Sequence, residues 1–120
     1  MPSLLHIRNG TVVDEYPLAP GTMRIGRAAD NDIRLEDSSV SGHHALLTIS
    51  PSPYMEGLHD VFVDDLGSTN GTLVNGETVF HQRLHHEDIL KTGTHEFRFL
   101  GEEAPFGDST RILLPDDVED

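Results

Sequence analysis

Apolar and polar residues alternate in short stretches along most of this chain, and glycine, proline and asparagine separate one stretch from the next. Such a period of two puts successive side chains on opposite faces of an extended strand. Residues 4–8 and 11–16 flank Asn9-Gly10, the kind of pair a type I′ hairpin turn favours because both central residues take positive φ. Residues 22–25 alternate after Pro20-Gly21, residues 32–35 form a shorter alternating piece, and residues 45–49 are a more continuous apolar run closed by Ser50-Pro51-Ser52-Pro53. Residues 61–64 follow. Asn75-Gly76 then repeats the hairpin signal between residues 72–74 and 77–79, and residues 96–100 alternate once more. No window sustains a helical period. The pattern predicts an all-β fold, a two-sheet β-sandwich of many short strands with its binding loops clustered at one end.

Length and composition narrow this further. A chain of 120 residues has room for one core. From Gly101 onward the alternation fades, two prolines appear and acids dominate. Residues 1–100 are therefore expected to form the domain and residues 101–120 an acidic tail or linker, in which Leu113-Leu114 leave room for a short terminal strand. The absence of cysteine excludes disulfides, thiol nucleophiles and cysteine-based zinc sites. No basic segment followed by an apolar run opens the sequence, and no apolar run is long enough to span a bilayer. The expectation is a soluble, cytoplasmic protein, in which the Asn-Gly-Thr sequons at Asn9 and Asn70 are turn chemistry. Lys and Arg total 8 against 21 for Asp and Glu, a formal net charge of -13. A field of that sign repels nucleic acid and anionic lipid, so neither is expected as a partner. An anionic ligand would have to be captured by a few placed donors against this background.

Enzyme signatures fail. The single lysine, Lys91, has no glycine-rich lead-in, and the Gly-x-Ser-x-Gly elbow is absent. Asp64-Asp65 and Asp116-Asp117 are adjacent in sequence, so on a strand they would face opposite ways and make a poor acid/base pair. His81, His85 and His86 cluster, and His43-His44 form a pair, but no spacing fixes the converging ligands a metal needs. The sequence points to no catalysis, no metal and no cofactor.

Three pieces remain: Gly26-Arg27 after a strand, Ser41-Gly42-His43-His44-Ala45 before one, and Gly67-Ser68-Thr69-Asn70-Gly71-Thr72 in the next long turn. They bring a guanidinium, hydroxyls, an amide and glycine-rich backbone to strand ends, an inventory suited to one phosphate. In this order, followed by Val74-Asn75-Gly76, they make residues 4–100 resemble a forkhead-associated (FHA) domain, a β-sandwich module that reads phosphothreonine. The resemblance implies that Arg27 and Ser41 hold phosphate oxygens. It implies that Thr69 lines the phosphate pocket around the phosphothreonine methyl, and that Asn70 bonds the backbone of the bound peptide. Gly26, His44 and Gly71 fall at positions that support the loops. After Ser41 the family often carries Arg, Lys or Asn. Gly42 stands there in this chain and offers only its N–H, with Arg34, Arg83 or His43 as possible substitutes. The expected partner is a threonine-phosphorylated protein or peptide. A scaffold of the same fold that binds without phosphate is the alternative. Thr110, with Leu113 three residues beyond it, would when phosphorylated supply a ligand within the chain itself, either silencing the domain or building oligomers.

Overall fold

The computed structural model describes residues 1–102, and within them strands and turns account for all regular structure. Eleven strands run β1 (Ser3–Arg8), β2 (Thr11–Pro17), β3 (Gly21–Gly26), β4 (Ile33–Arg34), β5 (Ala45–Pro51), β6 (His59–Asp65), β7 (Thr72–Val74), β8 (Glu77–Val79), β9 (His81–Arg83), β10 (Ile89–Thr92) and β11 (His95–Leu100). They form one sheet in the order β2-β1-β11-β10-β7-β8 and a second in the order β4-β3-β5-β6-β9. The short β3–β4 pair is parallel.

Both Asn-Gly turns have the backbone their sequence demands. Asn9 and Gly10 have φ of 53° and 77°, and Asn75 and Gly76 have 53° and 84°. The Asn75 side chain also fastens its hairpin to the next turn, donating from Nδ2 to Asp88 at 2.9 Å and accepting from the Ile89 amide at 2.9 Å.

Burial alternates along the central strands, including β5, whose sequence is a more continuous apolar run. Along β5, Ala45, Leu47 and Ile49 are buried, and Val61 and Val63 of β6 lie beside them in the same sheet. Leu4, Val74, Leu90, Phe97 and Phe99 of the other sheet close the core from the opposite side. Burying side chains of this size contributes about 1.5–3 kcal/mol each, the main term holding the two sheets together.

Two strands depart from the sequence expectation. β9 carries no apolar residue, and forms because the edge of β6 offers it a partner in the register Phe62↔Arg83 to Asp64↔His81. β10 alternates over only four residues, with Leu90 and Thr92 inward, a run too short to stand out. Leu113, Leu114 and Thr110, with the rest of the acidic segment from residue 103, lie outside the described residues. No helix of the described residues is long and apolar enough to cross a membrane.

Candidate functional site

Strand register carries the three sequence pieces to one end of the second sheet. Ile25 near the end of β3 lies opposite Ala45 at the start of β5, and Ala45 lies opposite Asp65 at the end of β6. The chain therefore leaves β3, enters β5 and leaves β6 at the same edge, and the three intervening loops meet there.

The first two loops are joined through their backbones. The Arg27 amide donates to the Ser41 carbonyl at 3.0 Å, Ala28 to Gly42 at 3.1 Å, and His44 to Ile25 at 2.9 Å. Gly26 sits where this approach is tightest. A Cβ there would collide with the Gly42 carbonyl oxygen and lie 2.8 Å from the Asn31 side chain, so no larger residue fits without moving backbone. Asn31, buried beneath the loops, donates from Nδ2 to both the Ala28 and Gly42 carbonyls at 2.8 Å.

His44 joins the second loop to the third. It is fully buried, and its Nδ1 accepts from the Ser41 amide at 3.1 Å. The ring proton therefore sits on Nε2, which donates to the Gly71 carbonyl at 2.8 Å. The Ser41 hydroxyl makes a second joint, accepting from the Thr69 amide at 2.9 Å and keeping its own proton to donate outward. Asn70 is exposed and donates from Nδ2 to the Ser39 carbonyl at 2.9 Å, which leaves its second N–H and its Oδ1 available. Gly71 holds a φ of 85°, in the left-handed region that favours glycine.

Asp65, in sequence only half of an adjacent acid pair, organises the third loop. Its Oδ2 accepts from the Gly67 and Ser68 amides at 3.0 and 3.1 Å, and its Oδ1 accepts from the hydroxyls of Ser68 and Thr72. The Ser68 hydroxyl in turn accepts from the Gly71 amide at 2.9 Å. Burial works against the Asp65 carboxylate, but these four donors outweigh it and hold the carboxyl below its ordinary pKa. An aspartate three residues before a serine, at a glycine-containing turn, is a local capping signal that could have exposed this role. Asn31 left no comparable signal, because its partners come from two separate loops.

The charged side chains near the loops are mostly committed. Arg34 pairs with Glu36 at 2.9 Å and His43 with Asp30 at 2.9 Å. Arg83 pairs with Asp60 at 2.9 Å, toward the opposite end of β6. Arg27 is exposed, and among the described residues its guanidinium has no carboxylate partner. No group of three His, Asp or Glu among the described residues is arranged to hold a metal ion.

An FHA domain model matches residues 23–93, from within β3 to the turn after β10, and so spans all three loops. The chain belongs to the FHA domain family. Over 93 residues it is 38% identical to the ABC transporter ATP-binding/permease protein Rv1747 of Mycobacterium tuberculosis, covering 78% of this chain and 10% of that protein. Among solved structures, Mycobacterium tuberculosis EmbR in complex with a low-affinity phosphopeptide superposes with a TM-score of 0.70 at 32% identity, covering 88% of this chain and 26% of EmbR. A chain solved for phosphothreonine-dependent FHA domain interactions superposes with a TM-score of 0.71 at 29% identity, covering 86% of this chain and 98% of that one. This FHA domain is thus like an entire solved FHA chain, and spans only a small part of the longer relatives.

Proposed function

We propose that this FHA domain is a non-catalytic, cytoplasmic receptor for threonine-phosphorylated peptides, acting in kinase-dependent signalling or assembly. The observation that carries the reading is the joining of Arg27 to Ser41. Their backbones are hydrogen-bonded at the mouth of three fused loops, and Arg27 is the arginine there without a carboxylate partner among the described residues. In a protein with a net charge of -13, an exposed guanidinium left unneutralised beside a hydroxyl is a place for an anion.

In this reading Arg27 gives a two-pronged charged contact to the phosphate, Ser41 donates its hydroxyl proton, and Gly42 adds its backbone N–H. Thr69 sits against the phosphothreonine methyl and completes the pocket. Asn70, already oriented by Ser39, uses its remaining N–H and Oδ1 on the peptide backbone. Gly26, His44 and Gly71 keep the three loops at this spacing. The relatives support this reading, since a phosphopeptide accompanies EmbR and the FHA chain above was solved for phosphothreonine-dependent interactions.

Calorimetric titration with a matched pair of peptides, phosphorylated and not, tests it. Binding of the phosphorylated peptide alone is the expected result. Equal binding of both would favour a scaffold that recognises partners without phosphate.

A further inference from the structure

A second hydrogen-bonded chain runs from the other sheet to the rear of this site. His6 of β1 is buried, stacks on Phe97 with ring centroids 4.7 Å apart, and places its Nε2 3.0 Å from His95 Nδ1. His95, at the start of β11, places its Nε2 3.0 Å from Asp37 Oδ2. The same Asp37 oxygen accepts from the Thr94 hydroxyl at 2.8 Å, and Oδ1 accepts from the Ser39 amide and hydroxyl, both at 2.9 Å. The Ser39 hydroxyl takes the Thr94 amide at 3.1 Å, and the Ser39 carbonyl holds Asn70. Gly93 lets the β10–β11 turn close on Ser39. Its φ is 61°, and an added Cβ would lie 2.8 Å from the Ser39 carbonyl oxygen.

We propose that His6 and His95 are positioning residues for peptide binding, fixing Asn70 through Asp37 and Ser39. This rests on the phosphopeptide reading above. The chain's protons follow from its acceptors. A carboxylate can only accept, so the His95 proton sits on Nε2, its Nδ1 accepts, and His6 donates from its own Nε2. His6 thereby holds the His95 ring in the one tautomer that serves Asp37, as a hydrogen-bond partner fixes a histidine that ligates a metal. The pair can take up one proton, with the His6 proton moving to Nδ1, and keep the contact. With both rings protonated, two N–H groups face each other and the contact breaks.

Burial chiefly, then His95 and Arg8, hold His6 below its ordinary pKa, while Asp14 on β2 pulls the other way. Tyr16, Arg34, Glu36 and Glu96 line the same surface crevices. The donors around Asp37 keep its carboxyl far below the ordinary range, so it stays an acceptor throughout. Held below its ordinary pKa, His6 is neutral and donating at neutral pH and takes a proton only on acidification. The contact survives the first proton taken up by the pair and breaks with the second, after which His6 no longer fixes the His95 ring against Asp37.

The test is the affinity for one phosphothreonine peptide, measured for the parent and for His6→Phe at about pH 7.5 and about pH 5.5. Phenylalanine keeps the stack on Phe97 and can neither hydrogen-bond nor titrate. Phosphate protonation cancels in the ratio of the two affinities. The expected ratio is about fivefold at the higher pH, the worth of one hydrogen bond, and smaller at the lower. A ratio that is the same at both values, or near one at the higher, overturns the proposal, since a packing role would not titrate. If His6→Phe does not fold, His95→Gln takes its place, because the glutamine amide can still donate to Asp37 but cannot be protonated. It should bind like the parent at about pH 7.5 and lose less affinity on acidification, and a loss equal to the parent's overturns the proposal. If the parent binds no phosphothreonine peptide, the functional reading falls, and hydrogen exchange in the free protein decides the positioning claim. Ser39 and Thr94 amides should exchange faster in His6→Phe at about pH 7.5, and unchanged exchange overturns it.

Discussion

In the proposed pocket Arg27 and Ser41 contribute in different ways, and their truncations should differ accordingly. Arg27→Ala removes a charged contact and nothing else visible in the fold, because only its backbone is tied to the loops. A charge-assisted bond is worth about 1.5–3 kcal/mol, so phosphopeptide affinity should fall by about 10- to 150-fold while the thermal midpoint holds. Ser41→Ala removes the proposed phosphate donor and also the acceptor of the Thr69 amide, so affinity should fall at least as far and the third loop should loosen. Calorimetry with thermal melts separates the two effects, and an Arg27→Ala protein that binds within a few-fold of the parent removes Arg27 from the pocket. Phosphothreonine should also outbind phosphoserine in the same peptide. One buried methyl contributes on the order of 0.8 kcal/mol, about a fourfold preference. Equal affinities would take Thr69 out of methyl contact. The residues named from sequence share a property: each belongs to a short motif whose order can be read directly. Asp37, Ser39 and Asn31 act through partners as far as 58 residues away, which only the three-dimensional register brings into reach, whereas the partners of the Asp65 carboxylate all lie in its own loop.

The third loop is the element where support and recognition meet. Asp65 accepts from four donors within eight residues of chain, and Asp65→Ala leaves all four to find water or stay unpaired. Each donor left buried costs about 1–3 kcal/mol, so a loss of at least that order in urea unfolding is expected, together with weaker peptide binding. The Asp65 carboxyl lies below its ordinary pKa in the folded protein, so the unfolded chain binds more protons as the medium acidifies. The stabilisation is therefore complete above about pH 4 and is lost as pH falls toward the folded value. Asp65→Asn should lower stability at neutral pH and flatten that acid arm, and an unchanged pH profile would show that the carboxylate does not organise the loop. At this scale the sequence was most legible where structure is local. The two Asn-Gly hairpins, the alternating β3 and β11 and the continuous apolar run of β5 declared themselves because turn backbone and side-chain period are properties of neighbouring residues. β9 was illegible for the opposite reason. His81, Gln82 and Arg83 have no strand pattern of their own, and take one from the edge of β6.

The whole molecule opposes the ligand its loops are built to hold. A net charge of -13 repels a phosphate, which carries about -1.5 to -2 charges at neutral pH, until it comes within reach of the proposed pocket at Arg27. The long-range field and the local site therefore select for different parts of a peptide. The site selects the phosphate, while the field favours peptides whose flanks carry Lys or Arg and rejects those with acidic flanks. Long-range steering acts on the encounter rate and fades once the screening length falls below the dimensions of the approach, from about 10 Å at 0.1 M salt to about 3 Å at 1 M. Two phosphothreonine peptides with the same central residues, one with basic and one with acidic flanks, should thus differ by about tenfold or more in association rate at low ionic strength. Their dissociation rates should stay close. In stopped-flow measurements the two association rates should converge as salt rises, whereas Arg27→Ala should lower affinity for both peptides at every salt concentration. If the basic-flanked peptide instead keeps its advantage at high salt, and keeps it in the dissociation rate, the flanks are being read by contact with the domain and not by its field.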